Sequence, residues 1–168
     1  MRRKCIDGHT QIQTALEQHG RALVLYARQW CNAPDDALQE ALIDLASQEK
    51  QPTNTAAWLF VTVRRKAINL ARSESRRQKH QKQASEQRDT WFERDPSLRM
   101  QNEELELDLQ QLMPLDREIV VARIWGELTF EQIAELVDRP LSVVYRHYRQ
   151  SLTFLGERLE GKHKTQNT

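Results

Sequence analysis

Leu128-Thr129-Phe130-Glu131-Gln132-Ile133-Ala134-Glu135-Leu136-Val137-Asp138-Arg139-Pro140-Leu141-Ser142-Val143-Val144-Tyr145-Arg146 is the stretch whose reading decides the fold. It reads as a short helix, a tight turn and a second helix with arginine on its outer face. Thr129, with Gln132 three positions on, forms a capping box that opens the first helix. Asp138 sits in the turn, where it tolerates a left-handed backbone better than most residues. From Ser142 onward, Val144, Tyr148, Ser151 and Leu155 recur at spacings of four, three and four, one inward stripe. Ser142, Arg146 and Arg149 lie opposite, flanked by Tyr145 and Gln150. Arginine makes paired hydrogen bonds to guanine, glutamine pairs with adenine, and Ser or Tyr binds phosphate. This is the layout of a helix-turn-helix whose second helix enters the DNA major groove. A plain helical hairpin with a solvated arginine face fits the same pattern, since such motifs are only moderately specific.

Outward from that stretch, the chain reads as helix throughout. Gln, Glu, Ala, Leu and Arg dominate, and five Gly and five Pro in 168 residues leave few breakers, so an all-α protein is expected. With 39% hydrophobic residues small cores can form, yet no apolar run reaches the ~18 residues that cross a bilayer. The basic amino terminus is not followed by an apolar segment, so no signal peptide is expected and the protein reads as cytoplasmic, without membrane insertion. Cys5 and Cys31 are too few and too far apart for a disulfide framework or a zinc cluster.

Helices are expected near 10–30, 34–47 and from Thr55 or Ala56 past Arg72, then near 101–112, 115–125, 129–137 and 141–160. Pro34 and the two aspartates after it suit a helix start, Pro114 begins a later helix and Gly126 closes it. Gly20 is a tolerated weak spot in the first helix. Residues from about Ser73 to Met100 read as a linker, with Trp91, Phe92 and Leu98 as apolar exceptions, of which the two aromatics are candidates for docking. The resulting division is a helical domain over 1–75, a basic-to-acidic linker over 76–100, a helix-turn-helix domain over 101–162 and a polar tail over 163–168.

The net charge of +1 conceals segregation. Between Pro34 and Glu49 every charged residue is acidic, whereas nine bases face two acids between Arg64 and Arg88. On the second helix Leu38, Ala41, Leu42 and Leu45 point inward, and Asp36, Gln39, Glu40 and Ile43 outward. An exposed Ile amid acids can anchor a protein partner, although an ordinary solvated face has the same look. On the third helix Leu59, Val63, Ala67 and Leu70 pack inward. Trp58, Thr62, Arg65, Asn69 and Arg72 repeat on the other side, an aromatic with guanidinium groups and an amide that suits nucleic acid. Alternatively Trp58 is core at a helix start. No Gly-rich phosphate loop and no acid–nucleophile constellation stands out, so neither an enzyme nor a small-molecule substrate, cofactor or metal is expected.

These pieces, in this order, resemble the sigma-70 family of bacterial RNA polymerase sigma factors, in particular the small extracytoplasmic-function group. Asp35-Asp36-Ala37-Leu38-Gln39-Glu40-Ala41-Leu42 resembles the acidic signature of region 2. Ala57-Trp58-Leu59-Phe60 through Ala67-Ile68-Asn69-Leu70-Ala71-Arg72 is similar to the helix that follows. Leu115-Asp116-Arg117-Glu118-Ile119-Val120 and Gly126 through Glu135 resemble region 4. The resemblance implies two helical domains on a tether. Asp36, Gln39, Glu40 and Ile43 would bind the clamp helices of the polymerase beta-prime subunit. Asn54, Trp58, Arg65, Asn69 and Arg72 would recognise and help open the −10 promoter element. Ser142, Tyr145, Arg146, Arg149 and Gln150 would read the −35 element, with the beta-subunit flap as a further contact. An anti-sigma factor is a candidate partner.

The chain departs from the family pattern at Val143, which lacks a capping hydroxyl that Ser142 can supply one position earlier, and at Gln150 and Leu152, which replace arginines. Two other readings stay open: a helix-turn-helix regulator that acts without polymerase, and a degenerate sigma-like adaptor.

Overall fold

The computed structural model describes residues 2–81 and 103–166, with side chains of Thr10, 12–78 and 107–159. Trp91 and Phe92, the expected docking residues, and Leu98 lie outside them, as does the side chain of Cys5. Among the described residues there are helices and no strands, as expected for an all-α chain. The helices are α1 (Arg2–Ala27), α2 (Pro34–Ala46), α3 (Thr55–Gln81), α4 (Glu103–Gln111), α5 (Pro114–Ile124), α6 (Phe130–Val137) and α7 (Leu141–Gln166). Two compact units result, Met1–Glu93 and Arg94–Thr168. α3 continues to Gln81 and α7 to Gln166, so residues 76–81 and 163–166 are helical.

In the first unit α1, α2 and α3 pack against one another. The apolar stripes meet in a core of Leu23, Tyr26, Ala41, Leu45, Leu59, Phe60 and Val63. Tyr26 sits at its centre, its ring 4.8 Å from both Phe60 and Trp30. α2 opens with Pro34, whose missing N–H costs nothing in a first turn, and with Asp35 and Asp36 against the positive end of the helix. α3 is opened by Asn54: its Oδ1 accepts from the Ala57 N–H at 2.8 Å, and its carbonyl accepts from the Trp58 N–H. Gly20 is buried, and a Cβ there would meet Leu16 Cδ1 at 3.0 Å.

In the second unit Leu109, Leu112, Val120 and Leu155 form the core, with Trp125, Tyr148 and Phe154 packed against it. The capping box is present: Gln132 N–H donates to Thr129 Oγ1, and the Gln132 side chain accepts from the Thr129 N–H at 2.8 Å. Thr129→Ala is expected to destabilise this unit by about 1 kcal/mol, read as a lower denaturant midpoint with an unchanged slope.

α6 ends as the sequence suggested. Asp138 has φ 53° and ψ 55°, and the Arg139 N–H returns to the Ala134 carbonyl at 3.0 Å. That closure ordinarily favours glycine. Gly126 closes α5, its N–H donating to the Val121 carbonyl at 3.1 Å, and the left-handed conformation falls one residue later, on Glu127, at φ 54°. The next carbonyl, of Leu128, is fixed by the Arg123 guanidinium at 2.7 Å, so a side chain holds the loop that follows. Ser142, by contrast, is not the cap it was expected to be. It is the second residue of α7, and the helix opens on the Pro140 carbonyl, which accepts from Val143 and Val144.

Candidate nucleic-acid interface

α6, the turn Asp138-Arg139-Pro140 and α7 form a helix-turn-helix. Phe130 is its hinge stone, with Tyr145 at 5.4 Å and Tyr148 at 5.2 Å edge-on to its ring and the Arg123 guanidinium 4.9 Å from its centre. Burial of Val144, Ser151 and Leu155 confirms the inward stripe of α7, with Tyr148 half-buried. Ser142, Tyr145, Arg146, Arg149 and Gln150 are all exposed. Tyr145 does double duty, half its surface open while the ring packs on Phe130. Arg146 and Arg149, by contrast, are both exposed on α7, three residues or about one turn apart.

On α3 the outward face is shifted from the expected one. Arg65, Asn69 and Arg72 are exposed and Trp58 is half-buried, but Thr62 is 3% exposed and belongs to the core side. Val61 takes its place on the outer face, 52% exposed. The face continues beyond the three-helix packing through Arg76 and Arg77, both exposed. It is an aromatic–apolar–basic surface, apt for stacking on unpaired bases and for holding phosphate. Asn54 is the exception among the expected residues on this side, since its side-chain oxygen is engaged as a helix cap.

Arg65 and Lys66 also tie α3 to α2. Lys66 Nζ lies 2.9 Å from Asp44 and 3.3 Å from Glu40, and an Arg65 nitrogen lies 3.5 Å from Asp44. The hydrogen bond to Asp44 is the main reason the Lys66 pKa is raised. The sequence reading missed Lys66; the signal was an acidic stripe on one helix beside a basic run on the next.

The acidic face of α2 stands as expected. Asp36, Gln39 and Glu40 are exposed, and Ile43 is 56% exposed among them. Leu38, Ala41 and Leu45 are buried beneath, and Leu42 is half-buried. No helix among the described residues is long and apolar enough to cross a membrane.

No family model and no curated protein matches this sequence. Solved structures do. The sigma factor RpoE from Bartonella quintana, solved in complex with the anti-sigma factor NepR, is 14% identical, with a TM-score of 0.67 over 92% of this chain and 97% of that one. CnrH, solved in complex with the cytosolic domain of CnrY, is 18% identical, with a TM-score of 0.60 over 95% of this chain and 94% of that one. This chain therefore shares the all-α fold of the sigma factor RpoE and of CnrH.

Proposed function

We propose that this chain is a promoter-specificity subunit of RNA polymerase. The observation that carries the reading is the order of three outward faces on a sigma-factor fold: acidic with an exposed Ile43 on α2, basic and aromatic on α3, and arginine-bearing on α7. An autonomous DNA regulator accounts for α7 alone and leaves α2 and α3 without a task.

In this reading Asp36, Gln39, Glu40 and Ile43 dock on the beta-prime clamp helices. Trp58, Arg65, Asn69 and Arg72 hold the −10 element, with Asn54 shaping the start of their helix. Capture of an unstacked base by this face offsets the few kcal/mol that unstacking costs. Ser142, Tyr145, Arg146, Arg149 and Gln150 read the −35 element. Each unit makes few contacts, so core polymerase supplies the affinity by holding both on one duplex and raising the effective concentration of each. Polymerisation chemistry belongs to the core enzyme, and the chain works in the cytoplasm. Its domains run over 1–75 and 101–162, the intervening segment serving as tether. An anti-sigma factor is a natural partner, since RpoE was solved with one.

The test is reconstitution of core polymerase with this chain, then run-off transcription on a library of genomic fragments. Initiation from a defined promoter is expected. Absence of any affinity for core removes the reading, and tight, specific duplex binding by the chain alone replaces it with an autonomous regulator. On the promoter found, Arg146→Ala is expected to cost on the order of 1–3 kcal/mol at the upstream element, checked by competition against base-pair substitutions there.

A further inference from the structure

α7 is fastened to its neighbours by two carboxylates. His147 Nδ1 lies 2.6 Å from Asp116 Oδ1, in the first turn of α5. Further along, Arg158 Nε donates to Asp108 Oδ1 on α4 at 2.9 Å, and Asp108 is fully buried. His147 and Arg158 are eleven residues apart, about three turns, so both fastenings lie on one side of α7. His147 is half-buried and immediately follows the exposed Arg146.

We infer that the Asp116–His147 contact is a positioning element for base reading, setting the rotation at which α7 presents Arg146 and Arg149. This rests on the DNA role proposed above for α7. The apolar stripe beneath α7 attracts without direction. A hydrogen bond between a ring nitrogen and a carboxylate is directional and adds an angular constraint beside Arg146 that packing alone does not specify. A 10° rotation about the helix axis moves a guanidinium about 8 Å from that axis by roughly 1.4 Å, beyond the ~0.5 Å within which a recognition site must be held. Phosphate contacts are less demanding, because they depend on charge more than on alignment. Loss of the contact therefore removes discrimination among sequences while leaving general affinity for DNA in place. A residue that merely stabilises the fold lowers both together.

The experiment uses reconstituted holoenzyme and the promoter selected by transcription, with competition between that promoter and versions carrying base-pair substitutions or a scrambled upstream element. His147→Ala is expected to lower discrimination roughly tenfold, the equivalent of one misaligned base contact, with affinity for the scrambled duplex and its salt dependence unchanged. Asp116→Ala is expected to do the same, and the double variant no more than either alone. His147→Gln, which retains a donor, is expected to keep most of the discrimination. Should an alanine variant fold poorly, His147→Phe, which keeps the ring and removes both nitrogens, set against His147→Gln gives the same comparison. Unchanged discrimination in His147→Ala, equal losses on both duplexes, or additive losses in the double variant each overturn the inference. A wild-type chain indifferent to the upstream sequence removes the DNA reading of α7 itself, and the inference with it. A discriminating wild type with an equally discriminating His147→Ala removes the inference alone.

Discussion

Glu40→Lys is expected to abolish assembly with core polymerase while leaving the first unit folded. Glu40 has two relationships, one inward to Lys66 at 3.3 Å and one outward, its side chain 48% exposed on the acidic face. The inward one is weak: exposed ion pairs contribute about 0–1 kcal/mol, and Lys66 keeps its shorter contact with Asp44 at 2.9 Å. The outward one is where a large effect can arise. Reversing a charge inside a closed, complementary interface costs on the order of 2–5 kcal/mol, roughly 30-fold to several-thousand-fold in affinity. Lys66→Met separates the two, because it breaks the inward pair and leaves the outward carboxylate alone. Co-purification with core is expected to be lost for Glu40→Lys and retained for Lys66→Met, with melting temperatures within a few degrees of wild type for both. Retention by Glu40→Lys, or loss by Lys66→Met alone, overturns the assignment of this face.

What the sequence made legible is what depends on local periodicity and local hydrogen bonding. The inward residues of α2, the capping box at Thr129 and the left-handed Asp138 follow from neighbours within one turn of helix. The α7 stripe, and with it the exposure of Arg146 and Arg149, follows from the same arithmetic. Thr62 and Val61 show where that arithmetic stops. A four-three step places residues 58, 62, 65, 69 and 72 on one face, but it leaves the width of the buried side open. α3 is covered by both α1 and α2, so its buried arc widens to take in Thr62. Polarity then misleads, since a threonine reads as outward and a valine as inward.

The contacts that bridge distant segments were not legible, because nothing in either segment announces the other. His147 to Asp116 spans 31 positions and Arg158 to Asp108 spans 50. Asn54 illustrates a different difficulty. An exposed asparagine before a helix is equally a cap and a nucleic-acid contact, and here the cap is made. Glu127 was hidden by the glycine beside it. The left-handed conformation falls on the glutamate, where the loop is held from the side by Arg123.

Arg117 shows how far a charged residue can depart from the surface role its type suggests, and it carries the other large expected effect. The residue is 6% exposed. Its Nε donates to the Leu109 carbonyl at 2.8 Å, and Nη2 donates to those of Gln110 and Leu112 at 2.9 and 2.8 Å. They lie at and just past the end of α4, where helix carbonyls run out of backbone donors, although the Leu109 carbonyl also accepts from the Leu112 N–H at 3.2 Å, and α4 has no basic residue of its own in its last turn. A guanidinium brought in from α5 satisfies all three and sits at the negative end of the helix dipole. Burial lowers the Arg117 pKa, yet an arginine remains charged, so the contacts are charge-assisted throughout. Arg117→Met keeps much of the volume and removes every donor, so the Gln110 and Leu112 carbonyls lose the guanidinium and the Leu109 carbonyl keeps only the Leu112 N–H. Each unsatisfied group costs on the order of 1–3 kcal/mol, so a total of about 2–4 kcal/mol after relaxation is expected. That is a large part of what holds a unit of this size together. Peptide-resolved hydrogen exchange is the measurement: protection in residues 103–111 is expected to collapse, and that of α5 and α7 to fall with it. Protection in α2 stays at the wild-type level, since the three carbonyls that Arg117 holds belong to the second unit. Wild-type protection of α4 in Arg117→Met would mean that water or another side chain closes the helix as well as the guanidinium does, and that the buried charge has some other purpose.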